Sequence, residues 1–306
     1  MIIGLFPGQG SQTPGFLSPW LELDGVAARL DELSEAAQVD LAAAGTEWDA
    51  DAIRDTKVAQ PLIVAASLLS WHALVARAAG LPAGVAGHSV GEVAALAASG
   101  VIDDVSALRL VGVRGRAMAD AAAQAETGMS AVLGGDEEAV LARLAELDLT
   151  PANYNGGGQI VAAGAIGALA ELAAEAPRGT RVIPLQVAGA FHTRYMQPAV
   201  EALAGAAAEL TASDPTLTLW TNKDGSEVTD GTSALDLLVG QVASPVRWDL
   251  NMAAFAEAGV SGLIEFAPAG TLTGLAKRGL RGVPAVAVKT PDDLDAAVAL
   301  LSEDNA

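Results

Sequence analysis

Gly84-Val85-Ala86-Gly87-His88-Ser89-Val90-Gly91-Glu92-Val93-Ala94-Ala95-Leu96-Ala97-Ala98 reads as a short strand, a tight turn and a helix. Its centre, residues 87–91, fits Gly-x-Ser-x-Gly, the turn that holds a serine hydroxyl out at the end of a buried strand. The two glycines permit a tight backbone and close packing around Ser89. A glycine-flanked serine in an ordinary βα turn has the same letters. The strand before it and the alanine-rich helix after it favour a nucleophile.

Outward from this turn, strand-like and helical segments alternate. Residues 2–6 read as a buried strand, followed by a loop over 7–15. The pattern predicts helices over 20–44 and 58–79, the second ended by Gly80 and Pro82. Asp103 is placed to N-cap a helix running to 124. Beyond Thr127 come a strand over 129–133, a helix over 136–147, a strand over 159–163, a helix over 166–176 and a strand over 181–187. This βαβαβ stretch predicts a small inserted subdomain. A helix over 198–210, strands over 217–221, 262–266 and 283–288, and a closing helix over 292–302 complete the chain. The alternation predicts an α/β fold with a mainly parallel sheet.

Composition narrows the function. The 306 residues are 51% hydrophobic, enough for a sizeable core and against disorder. Aromatics at 4% argue against a base-stacking surface, and a net charge of −20 repels nucleic acid and anionic membranes. The absence of cysteine excludes disulfides, thiolate zinc sites and a cysteine nucleophile. His72, His88 and His192 show no paired metal-ligand spacing, so neither metal nor cofactor is expected. The N-terminus lacks a basic signal-peptide region, and no stretch approaches the about 20 apolar residues of a membrane helix. A cytoplasmic monomer is the expectation, without nucleic-acid or membrane partners.

Ser89 needs a base. His88 adjoins it, and consecutive side chains at a tight turn diverge, so His88 reads as structural. His72 lies mid-helix in an apolar run and reads as an ordinary packed or half-exposed histidine. His192, in Val187-Ala188-Gly189-Ala190-Phe191-His192-Thr193, sits just past a strand, where α/β enzymes keep catalytic groups. No Asp or Glu between Ser89 and His192 stands out to orient the imidazole. A backbone carbonyl or an amide is a candidate for that task. On the helix over 103–124, Arg114 shares the apolar stripe of Leu110, Val111, Met118 and Ala121, an expensive position for a lone cation. An ion pair with a core acid and an anchor for a substrate carboxylate read equally well from the residues. The loop Phe6-Pro7-Gly8-Gln9-Gly10-Ser11-Gln12 is no dinucleotide fingerprint, because position 13 is Thr13. It reads as a plain tight turn or as a source of backbone N–H groups for an oxyanion.

Taken together, the chain resembles the malonyl-CoA:acyl carrier protein transacylases of fatty-acid synthesis and the related acyltransferase domains of polyketide synthases. The resemblance spans nearly the whole chain. It is carried by Phe6-Pro7-Gly8-Gln9-Gly10-Ser11-Gln12, Gln60-Pro61, Gly87-His88-Ser89-Val90-Gly91-Glu92, Arg114-Gly115-Arg116-Ala117-Met118, Asn153-Tyr154-Asn155, Phe191-His192, and Gln241-Val242-Ala243-Ser244-Pro245-Val246-Arg247-Trp248. It implies an α/β architecture: a hydrolase-like large subdomain with a mainly parallel sheet, residues 1–126 and 189–306, and a small inserted ferredoxin-like α+β subdomain, residues 127–188.

The resemblance also implies roles. Ser89 is the nucleophile, His192 its base, and Gln241 orients the histidine through its main-chain carbonyl. The backbone N–H groups of Gln9 and Val90 form the oxyanion hole. Arg114 pairs with the malonyl carboxylate, and Met118, Asn153 and Asn155 meet substrate. Phe191 crowds an α-methyl group, a clash of about 1–3 kcal/mol. Lys277, Arg278 and Arg281, the densest basic cluster, are the expected dock for acyl carrier protein, with malonyl-CoA as donor; a solvated helix face reads as well from charge alone. The rival readings are a free-standing acyltransferase for polyketide synthesis, a serine acyl hydrolase, and a non-catalytic scaffold. An inward Arg114 and a missing triad acid weigh against the hydrolase, and the filled nucleophile, base and anchor positions against the scaffold.

Overall fold

The computed structural model describes residues 1–303. The chain runs β1 (Ile2–Phe6), α1 (Val26–Ala37), α2 (Leu41–Thr46), α3 (Thr56–Val75), β2 (Gly84–Gly87), α4 (Gly91–Ala98) and α5 (Asp104–Ala122). Then follow β3 (Thr127–Gly134), α6 (Glu137–Glu146), β4 (Thr150–Gly156), β5 (Gln159–Ala165), α7 (Ile166–Ala174) and β6 (Thr180–Pro184). The remainder is α8 (Gln197–Ala208), β7 (Thr218–Trp220), α9 (Gly231–Gln241), α10 (Trp248–Glu257), β8 (Gly262–Glu265), α11 (Thr271–Gly279), β9 (Ala285–Ala287) and α12 (Leu294–Glu303).

The larger sheet has the order β7-β2-β1-β8-β9 and every pairing in it is parallel. β1 lies between β2 and β8, so the chain reverses its direction of travel across the sheet there. Such a switch opens a crevice at the carboxyl ends of the strands. β1, β2 and β8 are buried along their whole length, as both-face-covered parallel strands must be. Phe6 and Phe266 stack with ring centroids 5.1 Å apart, and Trp71 of α3 meets Phe266 edge-on at 5.2 Å. Helix α5 packs against α1, α3 and α8, which brings Arg114 into the interior.

The smaller sheet has the order β4-β5-β3-β6 and is antiparallel throughout. With α6 and α7 it forms the βαββαβ pattern of a ferredoxin-like unit. Val132, Val140, Leu144, Ile160, Leu169 and Leu172 form its own core. The sheet joins the rest of the protein through an isolated bridge between Asn153 and Val246, with hydrogen bonds from Tyr154 N to Val246 O and from Val246 N to Ala152 O, both 2.9 Å.

Four expectations are corrected. The predicted helix over 20–44 is a 3-10 turn at Trp20–Glu22 followed by α1 and α2, because Gly25 and Gln38 both adopt positive φ and interrupt it. Strand β4 lies where the sequence pattern marks no element: Pro151, the asparagines and Gly156 obscure it, and its register slips twice against β5. The sequence pattern also leaves helices α9, α10 and α11 unmarked. Finally, α3 is long and apolar enough to cross a membrane by length and composition, with mean hydropathy 1.6. However, 83% of that window is buried inside the protein, which makes it a core helix.

Candidate active site

Ser89 sits at the tip of the β2–α4 turn with φ +53°, a strained backbone for a residue with a side chain. Both glycines of the motif are required by space. A Cβ on Gly87 would lie 2.0 Å from the carbonyl carbon of Gly91, and one on Gly91 would lie 2.1 Å from Phe6 O. Asn222, just past β7, fixes the turn: its Oδ1 accepts from Ser89 N at 2.7 Å and its Nδ2 donates to Gly87 O at 2.7 Å.

His192 lies in the segment after β6, also with positive φ (+61°), and is almost wholly buried. Its Nδ1 is 2.9 Å from the main-chain oxygen of Gln241, and its Nε2 is 2.7 Å from Ser89 Oγ. A carbonyl can only accept, so Nδ1 carries the proton and Nε2 is left to accept from the serine hydroxyl. Burial, reinforced by the charge of Arg114, pushes the His192 pKa down to about 3, so the imidazole is neutral at ordinary pH. Ser89 and His192 thus form a hydrogen-bonded pair, and a backbone carbonyl at the end of α9 holds the far side of the imidazole.

Arg114 is 1% exposed. Its guanidinium donates to Gln60 Oε1 at 2.6 Å and to Gln241 Oε1 at 2.9 Å, and its buried Nε has no partner among the described residues. Burial, opposed by the charge of Glu92, lowers its pKa to about 10, still fully cationic near neutrality. Neither sequence reading of Arg114 appears in simple form. Its contacts are amide oxygens, and Glu92 stands one amide away, hydrogen-bonded to Gln241 Nε2. Met118 is buried with it, and its Sδ accepts from Gln60 Nε2 at 3.4 Å, placing it behind the open cleft.

The cleft between the two sheets encloses about 200 Å³. Gln9, His88, Ser89, Asn153, Asn155, Phe191 and His192 face it, with Met129, Leu185 and Leu275 among its apolar walls. The backbone N–H groups of Gln9 and Val90 have no acceptor among the described residues. The Gln9 side chain is turned to Arg54 O and Thr56 Oγ1. His88 Nε2 is 2.9 Å from Asn155 Oδ1 and its ring meets Trp248 edge-on at 5.5 Å. His72 is more than half exposed and pairs with Asp104 far from Ser89 and His192.

Lys277, Arg278 and Arg281 are exposed at and beyond the end of α11. Arg278 donates to Gln159 Oε1 at 2.8 Å, and Gln159 belongs to the cleft wall. Arg278, of this basic cluster, therefore stands at the edge of the cleft. Helix α11 is fixed there by Glu265, whose carboxylate accepts from Leu272 N and Thr273 N, each at 2.8 Å. Sequence reasoning gave no part to Glu92 or Asn222, nor to Asn251, whose Oδ1 accepts from Asn222 Nδ2 at 3.2 Å. Glu92 carried a signal: a carboxylate on a short helix whose other residues are nearly all apolar has to be buried or paired.

A serine held by a strained strand–helix turn, a neutral histidine oriented by a carbonyl, and a buried arginine lie together in a protein of the acyl transferase class. The model of the acyl transferase domain matches residues 4–298. The malonyl CoA-acyl carrier protein transacylase of Mycobacterium tuberculosis is 56% identical over 297 residues, covering 96% of this chain and 98% of the relative. A crystal structure of MCAT from the same organism superposes with a TM-score of 0.95 at 55% identity, covering 97% and 99% of the two chains. A malonyl-transacylase solved in complex with a type II polyketide-synthase acyl-carrier protein superposes at 0.92 with 31% identity, covering 97% and 99%. The chain belongs to the malonyl CoA-acyl carrier protein transacylase family.

Proposed function

We propose that this protein moves the malonyl group of malonyl-CoA to the phosphopantetheine thiol of acyl carrier protein, supplying fatty-acid synthesis through a malonyl ester on Ser89. The observation that carries the reading is that one residue, Gln241, meets His192 with its main-chain oxygen and Arg114 with its side-chain oxygen. Nucleophile, base and carboxylate anchor are thereby tied to a single point.

In the first half-reaction Ser89 Oγ attacks the thioester carbonyl while His192 Nε2 takes the hydroxyl proton. The N–H groups of Gln9 and Val90 stabilise the oxyanion. The C–S bond breaks, and the proton on His192 passes to the departing CoA sulfur. In the second half-reaction the carrier's thiol gives its proton to His192 and its sulfur attacks the ester, and the proton returns to Ser89 Oγ. Arg114 holds the malonyl carboxylate by charge-assisted hydrogen bonds. Phe191, on the cleft wall, disfavours an α-methyl group. Asn153 and Asn155 contact the donor, and Lys277, Arg278 and Arg281 receive the acidic carrier. Residues 127–188 act as the small subdomain that closes one side of the cleft, and residues 1–126 with 189–306 act as the large one.

The test is intact-mass measurement after incubation with malonyl-CoA. A malonyl adduct is expected on the wild type, absent from Ser89→Ala, and discharged by added acyl carrier protein. Release of free malonate without transfer would make the protein a hydrolase.

A further inference from the structure

We propose that Glu92 is a positioning residue: it sets the direction of the Gln241 side-chain amide and so keeps Arg114 open as an anchor for the substrate carboxylate. The proposal rests on the transacylase reading above.

Glu92 lies in the first turn of α4, three residues past Ser89, and is 6% exposed. Its carboxylate touches no cation among the described residues. One oxygen accepts from Asn222 N at 2.5 Å, and the other accepts from Gln241 Nε2. A small, mostly apolar cavity lined by Leu96, Leu219, Val228 and Leu238 backs it, where the Thr221 hydroxyl is a further uncharged donor to the carboxylate. Gln241 Nε2 also faces Ser89 O at 3.1 Å and Asn222 Oδ1 at 3.3 Å. Every group on that side is an acceptor, so the amide nitrogen has to point there. The amide oxygen is then forced towards Arg114.

The consequence is electrostatic. A direct Glu92–Arg114 ion pair would satisfy the guanidinium and leave it little to offer a ligand. One intervening amide keeps the two charges in each other's field but out of contact. Arg114 stays cationic, with Nε unpartnered, and an incoming carboxylate becomes its first direct anionic partner. Glu92 has to remain acceptor-only for this. A glutamine at position 92 would set an NH₂ group against Asn222 N–H or against Gln241 Nε2. In the second case Gln241 flips and turns its own NH₂ on Arg114.

The experiment compares loading of Ser89 from malonyl-CoA and from acetyl-CoA, which share everything but the carboxylate. In Glu92→Gln the KM for malonyl-CoA should rise, and the malonyl-over-acetyl preference should fall by about tenfold, the equivalent of one misplaced charge-assisted hydrogen bond. An unchanged preference, or an equal loss with both donors, overturns the proposal and makes Glu92 merely structural. If Glu92→Gln fails to fold, by circular dichroism, the wild type supplies the test. Burial pushes the Glu92 carboxyl up to about 7, so its protonation places a donor in the network just below neutrality. Arg114 of α5 is the charged group acting on Glu92; Asn222 and Thr221 beyond β7 and Gln241 of α9 are uncharged. His192, which itself feels Arg114 and His88, serves both donors alike. The malonyl-over-acetyl preference should therefore fall as pH drops from about 8.5 to 6.5, and a flat ratio overturns the proposal. Wild-type protein that takes no malonyl group at all would instead defeat the transacylase reading.

Discussion

Arg114 shows how one residue's surroundings choose between meanings that its sequence position leaves even. A cation buried to 1% exposure has to be compensated, and here the compensation comes from two amide oxygens and a carboxylate one amide away. That arrangement solvates the guanidinium without closing it. Arg114→Ala should lower malonyl loading of Ser89 by roughly ten- to hundredfold, the usual cost of a lost charge-assisted pair, and spare or raise acetyl loading. Equal losses on both donors, measured as kcat/KM, would remove the anchor assignment. At this scale Ser89 and His192 were legible because their chemistry is written in residue type and turn context. The group that orients the imidazole was not, since a main-chain carbonyl leaves no letter in a sequence; Gln241 came from the family resemblance. Glu92 and Asn222 also escaped, because what they do lies in hydrogen bonds between segments 130 residues apart.

At the scale of elements, the parallel strands of the large sheet were legible as short apolar runs, and α5 as a capped helix with an apolar stripe. Strand β4 was hidden by its asparagines, proline and bulged register, although Asn153 and Asn155 owe their place in the cleft to it. Helix α11 was visible only as a charge cluster. Its position follows from the two hydrogen bonds that Glu265 makes to its first turn, a contact between β8 and α11 that no periodicity encodes. Those bonds aim the end of α11 at the cleft mouth, where Arg278 is already engaged by Gln159 and the exposed Lys277 makes no ion pair among the described residues. Lys277 is therefore the cleaner probe of docking. Lys277→Glu should raise the KM for acyl carrier protein several-fold at low salt, less at high salt, and leave the KM for malonyl-CoA unchanged. A matching rise for both substrates would place Lys277 on the CoA path instead.

The whole molecule carries two buried groups whose titrations oppose each other. Glu92 is raised from 4.5 to about 7, so its contribution to stability is complete below pH 4.5 and is lost as pH rises through about 7. His192 is lowered from 6.5 to about 3, so its contribution is present above pH 6.5 and is lost as pH falls through about 3. Each effect is of the order of a few kcal/mol. Between pH 4.5 and 6.5 the two slopes cancel in part. Self-repulsion of a chain with net charge −20 eases over the same interval as pH approaches the isoelectric point near 4.3. The melting temperature should therefore be highest on a plateau between about pH 5 and 6.5, decline gently above 7, and drop steeply below 4.5. The acid-side drop separates the causes. His192→Gln removes the ring that has to charge, so its melting temperature should fall less between pH 4.5 and 3.5 than that of the wild type. Parallel curves for the two proteins would assign the acid loss away from His192, to His88, which burial likewise holds below its usual range, and to surface carboxylates such as Asp148 and Asp230, whose hydrogen bonds hold them below theirs.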